Sequence, residues 1–475
     1  MYANFICSLS GFLYTYILPI LLIGGGLYFT FKTNFVQIRL LKESIKVVTE
    51  PAQDEKSMSS FQALMVSTAS RVGTGNIVGV SAAICMGGAG AVFWMWVVAF
   101  LGASSAFVES TLAQIYKKRD KDGGSYGGPA HYIEIGLKNK TLGLIFAIIL
   151  ILTYMFGFNM LAAFNINSAF ATYSFYNPDV TPLIVGAVLA ILTGLSIFGG
   201  GKRLSEIASV LVPIMSVTYI IVAFIVIFKN IGLVPSMFAD IFTQAFDFKA
   251  IFGGFAGSAI MMGLKRGLYS NEAGIGSAPN AAAAADVSHP VKQGLVQMMS
   301  VYLDTWVICT ATAIMLLASG VAPSPDIAGA AYNVAALTNN FGAFGQHFFT
   351  AALFIFGFTT LIGNYFYSEA NFKYIVGENA SKTTLNVFRS IAVIVILFGT
   401  GLGFGVAWDT ADVLMAAMAL INIPTIIILK DPVIRCMNDY LEQRKSGKNP
   451  VFKASSINMK DTTDFWNETS KSRSK

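Results

Sequence analysis

This chain is short of charge. Only 12% of its 475 residues are Asp, Glu, Lys or Arg, about half the ~25% share of a soluble globular protein. Histidine is scarcer still: His131, His289 and His347 lie in loops or at the ends of apolar segments, with no metal-ligand spacing. No H-E-x-x-H run occurs, which argues against a membrane-embedded enzyme built on clustered acid–base or metal chemistry. The four cysteines, Cys7, Cys85, Cys309 and Cys436, are too far apart for a metal site or a disulfide framework. No G-x-x-x-x-G-K-[ST] loop is present to hold ATP phosphates. No folded basic domain is present, so nucleic acid is not an expected partner, and the net charge of +6 is read as membrane topology. Met1–Ile20 lacks the basic flank and small-residue cleavage site of a signal peptide, so the first apolar segment is expected to be retained.

Apolar sequence fills the space that charge leaves. Hydrophobic residues make up 55% of the chain and the mean hydropathy is +0.62. Eleven segments approach the ~20 residues that a helix needs to cross a bilayer: Gly11–Phe31, Phe61–Met86, Ala91–Tyr116, Thr141–Ser168, Thr181–Phe198, Glu206–Phe228, Ile251–Ala285, Gly294–Ala318, Phe344–Tyr367, Asn386–Phe404 and Thr410–Leu429. Alternate connections are basic. Lys32, Arg39, Lys42, Lys46 and Lys56 lie in one, Lys117, Lys118, Arg119, Lys121, Lys138 and Lys140 in the next, and Lys202, Arg203, Lys373, Lys382 and Arg389 follow. The intervening connections are nearly free of Lys and Arg, so the N-terminus is expected outside and the C-terminus in the cytoplasm. Residues 1–57 then form an extra helix and a basic loop, residues 58–430 the core, and residues 431–475 a polar, solvated cytoplasmic tail. Glu109 and Glu206 fall near cytoplasmic helix ends and are expected in water.

The segment Phe61–Met86 is interrupted by Arg71-Val72-Gly73-Thr74-Gly75-Asn76. Two glycines weaken a helix there by about 1 kcal/mol each. Backbone opened at mid-membrane must line a cavity or hold a ligand, since lipid offers it no hydrogen bond. Broken helices at the midplane mark the solute and ion sites of secondary transporters. A partner occurs in the second half of the chain: Arg266-Gly267-Leu268-Tyr269-Ser270-Asn271-Glu272-Ala273-Gly274 repeats the Arg, the Asn five residues on and the Gly three further. Five spans separate the copies, an odd number, so two halves of about residues 58–228 and 240–430 would be inverted in the membrane. The long segment Ile251–Ala285 is then two half-helices joined by unwound backbone near Leu268–Gly274, with Gly253-Gly254-Phe255-Ala256-Gly257 as the alternative break. An ion-channel filter would normally repeat around an oligomer, whereas these two breaks are dissimilar.

Several longer motifs carry a resemblance. Gly87-Gly88-Ala89-Gly90-Ala91-Val92-Phe93-Trp94-Met95-Trp96-Val97, Arg71–Gly79, Gly128-Pro129 with Tyr132-Ile133-Glu134, Ser270–Pro279 and Asp304-Thr305 resemble the alanine or glycine:cation symporter family, the sodium:alanine symporters. The resemblance runs from about Gly11 to Lys430. It implies an all-α integral membrane protein of eleven transmembrane helices, with a leucine-transporter-like 5+5 inverted-repeat core plus one N-terminal helix. It also implies uptake of alanine or glycine driven by Na⁺ or H⁺ across the cytoplasmic (inner) membrane. The chain departs from many members at Asn364, where they carry Trp, and at Ala130-His131, where they are often bulkier.

A zwitterionic solute needs both ends matched. Backbone N–H groups of Gly75 and Asn76 at a half-helix N-terminus suit a carboxylate, and Thr74 and Asn76 can add side-chain bonds. Freed carbonyls and the Asn271 amide suit the ammonium, Tyr269 can close over a methyl group, and Ser270 and Asn364 complete the expected substrate set. By the resemblance, Na⁺ sits between the carbonyls of Ala69 and Val72 and the hydroxyls of Thr359 and Thr360. Adjacent threonines diverge by ~100° on a helix, so at least one is expected to back-bond to its own turn. Asp304, mid-span, reads as a second cation ligand, a proton site, or the structural partner of Arg71 or Arg266, the last being favoured. No cofactor beyond the coupling ion is expected.

Overall fold

The computed structural model describes residues 2–52, 57–120, 124–247, 258–377, 380–459 and 465–466. Among them the regular structure is helical apart from a short antiparallel pair, Lys118–Arg119 with Ser125–Tyr126. Among the described residues, eight helices are long and apolar enough to cross a membrane: α1 (Tyr2–Lys32), α5 (Gly90–Ile115), α7 (Lys140–Phe170), α9 (Gly200–Lys229), α13 (Pro290–Leu317), α15 (Ala343–Val376), α16 (Lys382–Gly399) and α17 (Phe404–Ile428). Two shorter apolar helices, α4 (Gly75–Gly87) and α8 (Thr181–Ile197), join them. Apart from single turns of three or four residues, the other described helices are α2 (Leu41–Val48), α3 (Ser60–Arg71), α6 (Pro129–Gly136), α10 (Val234–Ala245), α11 (Ala259–Asn271), α12 (Pro279–Ala284), α14 (Ala330–Phe341) and α18 (Lys430–Lys445).

Local chemistry starts several of these helices. Ser59 and Gln62 form a reciprocal capping box at the head of α3. Ser258 caps α11 by accepting the Met261 N–H, and Asn139 caps α7 through the Leu142 N–H. Pro290 opens α13 at a position where a missing N–H costs nothing.

Burial separates centre from periphery. α3 and α11 are buried almost all round, the mark of a helix enclosed by other helices. α3 packs on α9 and α15, α11 packs on α5, and α13 lies along α5. Exposed Leu, Ile and Phe side chains instead crowd α8 and α9, as a lipid-facing surface requires.

The described part of the segment expected to be a solvated tail packs on the core through a set of buried residues. α18 buries Val433, Cys436, Met437 and Tyr440. Beyond it the Phe452 N–H donates to Ser288 O at 2.8 Å, and Trp466 Nε1 donates to Gln114 O at 2.8 Å. Apolar residues recurring in a charged sequence supply this anchoring face. Residues 460–464 and 467–475 lie outside the described residues, as do the alternative break at Gly253–Gly257 and the first seven residues of the expected span Ile251–Ala285.

Candidate functional site at two interrupted helices

The first interruption lies where the glycines weaken the helix. α3 ends at Arg71, Val72 turns out of helical geometry at ψ 87°, and α4 begins with a π-helical turn over Gly75–Gly79, a form that often accompanies functional sites. Asn76 ties the opening together. Its Oδ1 accepts the Gly73 N–H at 2.9 Å, and its Nδ2 donates to Asp304 Oδ1 at 2.7 Å. Thr74 Oγ1 accepts from Asn165 Nδ2 of α7 at 3.1 Å. A Cβ on Gly73 would overlap Thr360 Oγ1, and one on Gly75 would lie 2.8 Å from the Tyr269 ring. Glycine is therefore what lets α15 and α11 close on the break.

The second interruption falls later than the expected Leu268–Gly274. α11 stays helical through Tyr269 and Ser270 to Asn271, and the irregular stretch is 272–278, before α12. The cause is backbone chirality. Glu272 takes a left-handed φ of 53°, and Gly274 and Gly276 take φ of 85° and 87°, values an L-residue adopts at a cost. Asn271 Oδ1 accepts the Ala273 N–H at 3.0 Å and closes the turn, and Asn271 Nδ2 reaches Thr305 Oγ1 at 3.4 Å.

Asp304 bridges the two breaks. It sits in a π-helical stretch of α13, Tyr302–Cys309. Its Oδ1 takes the Asn76 amide, and its Oδ2 accepts from Ser270 Oγ at 2.7 Å and Thr305 Oγ1 at 2.9 Å. The favoured arginine pairing is overturned. Arg266 lies 3.3 Å from Asp412 and over the Trp408 ring at 4.0 Å. Arg71 Nη1 donates to Ser300 Oγ and to Gln297 O. Neither guanidinium makes an ion pair with Asp304.

The matching family model, described as the sodium:alanine symporter family, covers residues 1–454. The chain belongs to the sodium:alanine symporter family. It is 43% identical over 459 residues to the amino-acid carrier protein AlsT of Bacillus subtilis, covering 97% of this chain and 96% of the relative. It is 42% identical to the probable sodium/glutamine symporter GlnT of the same organism, covering 96% and 94%. Identity to the sodium/alanine symporter AgcS of Methanococcus maripaludis is 37%, covering 94% and 98%. This symporter is accordingly a multi-pass membrane protein that couples amino-acid transport to a cation, in a family of transporters and not of enzymes.

In the symporter, the residues singled out from the sequence fall into two groups. Thr74, Gly75, Asn76, Tyr269, Ser270, Asn271 and Asp304 converge on the two breaks, with Tyr269 edge-on to Phe158 at 4.9 Å and to Trp408 at 5.0 Å. Asn364 lies beside the first break, where its Oδ1 accepts from Ser70 Oγ at 2.8 Å and its Nδ2 donates to Asn159 Oδ1 at 3.0 Å. Ala69 and Val72 are buried at the end of α3. Thr359 and Thr360 both back-bond to Phe356 O, at 2.9 and 3.0 Å, and Thr360 is the one against Gly73.

Glu109 and Glu272 are the residues that sequence reasoning missed. Glu109 was expected in water but is fully buried. Its carboxylate accepts the N–H groups of Gly274 and Gly276 at 3.2 and 3.1 Å and Asn422 Nδ2 at 2.7 Å, so it satisfies the unwound backbone of the second break. Its signal was its setting, a lone carboxylate among small residues in Gly102–Thr111. Glu272 is equally enclosed: its Oε2 accepts from Ser277 Oγ at 2.7 Å, and its Oε1 lies 3.2 Å from Ser70 Oγ. Glu206 is exposed, as expected, whereas His131 is buried within α6 instead of lying in a loop.

Proposed function

We propose that the chain imports a small neutral amino acid, alanine or glycine, together with Na⁺ or H⁺, by alternating access in the cytoplasmic membrane. The observation that carries this reading is the joining of two interrupted helices through one buried carboxylate, by Asn76–Asp304 at 2.7 Å and Ser270–Asp304 at 2.7 Å. The substrate carboxylate takes the N–H groups of Gly75 and Asn76 and the hydroxyl of Thr74. The ammonium takes carbonyls freed at the breaks and Asn271, with Ser270 and Asn364 alongside and Tyr269 over the side chain. A Na⁺ ion takes the carbonyls of Ala69 and Val72 with the hydroxyls of Thr359 and Thr360, and Asp304 is the second cation site. Hard oxygen donors suit such an ion.

Charge supports the coupling. Arg71 lies within electrostatic reach of Glu109, Glu272 and Asp304, so carboxyls outnumber cations in the enclosed centre. One Na⁺ entering down 100 mV yields ~2.3 kcal/mol and a tenfold gradient adds ~1.4 kcal/mol, enough to sustain roughly a 500-fold solute gradient. The architecture we propose is eleven crossings, with inverted halves of about residues 58–228 and 240–430, the N-terminus outside and the C-terminus inside. The names of AlsT and AgcS, an amino-acid carrier and a sodium/alanine symporter, agree with this choice of solute. The name of GlnT makes glutamine the rival.

Radiolabelled alanine uptake into proteoliposomes, under imposed Na⁺ or H⁺ gradients and with glycine, D-alanine, serine and glutamine as competitors, tests the proposal. Asn76→Leu and Thr359→Val are each expected to abolish cation-dependent uptake while the protein still reaches the membrane. Full uptake by both variants would remove the site assignment.

A further inference from the structure

A groove of about 760 Å³ runs along the outer surface between α8 and α16, remote from the two breaks. These helices are antiparallel there: a Cβ on Gly186 would lie 3.0 Å from Thr400 Oγ1, and a Cβ on Gly194 would lie 3.5 Å from Val393 Cγ2. The trough exists because α8 offers small residues, Ala187, Ala190 and Gly194, opposite branched residues of α16, Val393, Ile394 and Leu397. Its rims are apolar and open, with Ile191 and Leu195 both 62% exposed.

The groove is polarised along its length. From Ala187 to Phe198 it is apolar, and it ends at Gly199, Ser390 and Arg203. At 1.5 Å per residue that apolar stretch is roughly 16 Å long, close to half of a ~30 Å hydrocarbon core and so the depth of one leaflet. The polar end carries surplus positive charge. Lys202 and Arg203 are exposed, and neither makes an ion pair among the described residues, Glu206 one turn on included. Arg389 nearby is already engaged by Glu369 at 3.4 Å. Gly199 positions Arg203, because the Arg203 side chain lies back across it where a Cβ would overlap Arg203 Cδ. The basic end belongs to the connections read as cytoplasmic, the leaflet in which anionic lipids attract such residues.

We propose that this groove is a binding site for one anionic glycerophospholipid, an acyl chain in the α8–α16 trough and the phosphate at Arg203 and Lys202. A trough of one leaflet's depth ending in cations that have no ion pair among the described residues matches that amphiphile and no soluble anion. The site is independent of the transport reading, so transport is not its readout.

Native mass spectrometry of the detergent-extracted symporter, given equal amounts of phosphatidylglycerol and phosphatidylcholine, tests it. The wild type is expected to keep one phosphatidylglycerol in preference to phosphatidylcholine. Lys202→Gln and Arg203→Gln should each reduce that preference about fivefold. Gly194→Leu should displace the bound lipid by filling the trough, while Gly194→Ala, whose methyl group meets only ordinary contact, should not. Absence of a headgroup preference in the wild type would overturn the proposal. So would a preference that survives both charge variants, or disulfide cross-linking of Ile191→Cys between two copies of the chain.

Discussion

Asp304 receives three side-chain donors from three different positions, Asn76, Ser270 and Thr305. Asp304→Asn keeps the shape and one acceptor oxygen but removes the charge. If this carboxylate is a cation site, the variant should be inserted and folded yet need at least about tenfold more Na⁺ for half-maximal uptake, the equivalent of ~1.4 kcal/mol. An unchanged Na⁺ dependence would reduce Asp304 to a brace between helices. Asn76 is exposed to the same logic from the other side, since its loss leaves the Gly73 N–H and the carboxylate each short of a partner in a buried setting, at about 1–3 kcal/mol per group.

At the scale of elements, the two breaks differ in what satisfies them. The first is closed by its own Asn76 and by the approach of α15 to Gly73. The second is held from outside by Glu109 of α5 and Asn422 of α17, which donates to both Glu109 Oε2 and Gly274 O. Glu109→Ala would strand two backbone donors and one amide, and it is expected to destabilise the protein by about 3 kcal/mol or more, read as a lowered melting temperature in detergent. Glu109→Gln, which keeps one carbonyl acceptor, should lose less. Equal melting temperatures for both variants and the wild type would show that water satisfies the stretch instead. Gly274 and Gly276 belong to the same device, since their positive φ values are open to glycine at little cost.

Across the whole molecule, the C-terminal layer binds together ends of helices that are far apart in sequence. Lys117 of the α5 end lies over the Phe465 ring at 4.0 Å and donates to Ala285 O at 2.9 Å. Lys292 of α13 reaches Glu50 and, at 2.7 Å, Asn449. Tyr440 and Arg444 of α18 both contact Glu43 of α2, at 2.8 and 2.6 Å. Truncation after Lys445 leaves α18 in place but removes the Asn449, Phe452 and Trp466 contacts. It is expected to cost on the order of 1–3 kcal/mol, seen as a lower melting temperature with uptake retained. An unchanged melting temperature would mean that these contacts only decorate the surface.

How much could be read in advance follows from the range of the forces involved. The apolar segments and the first break needed only local information: long hydrophobic runs, and Gly73 and Gly75 set beside Asn76 where lipid offers no partner. The second break was misplaced by several residues because Tyr269, Ser270 and Asn271 look equally polar in sequence. Only left-handed backbone at Glu272, Gly274 and Gly276 decides where the helix stops. Glu109 looked like a helix end in water because its partners come from positions 165 or more residues away. The pairing of Arg266 with Asp412 in preference to Asp304 likewise depended on which face of α11 meets α17. Composition and the lengths and interruptions of the apolar runs therefore determined by themselves that this chain is a helical membrane protein with an opened helix at its centre, since those properties arise from each residue's own contest between water and lipid. The tertiary structure alone decided which carboxylate meets which donor, because a buried charge takes its partners from whatever helix faces pack around it.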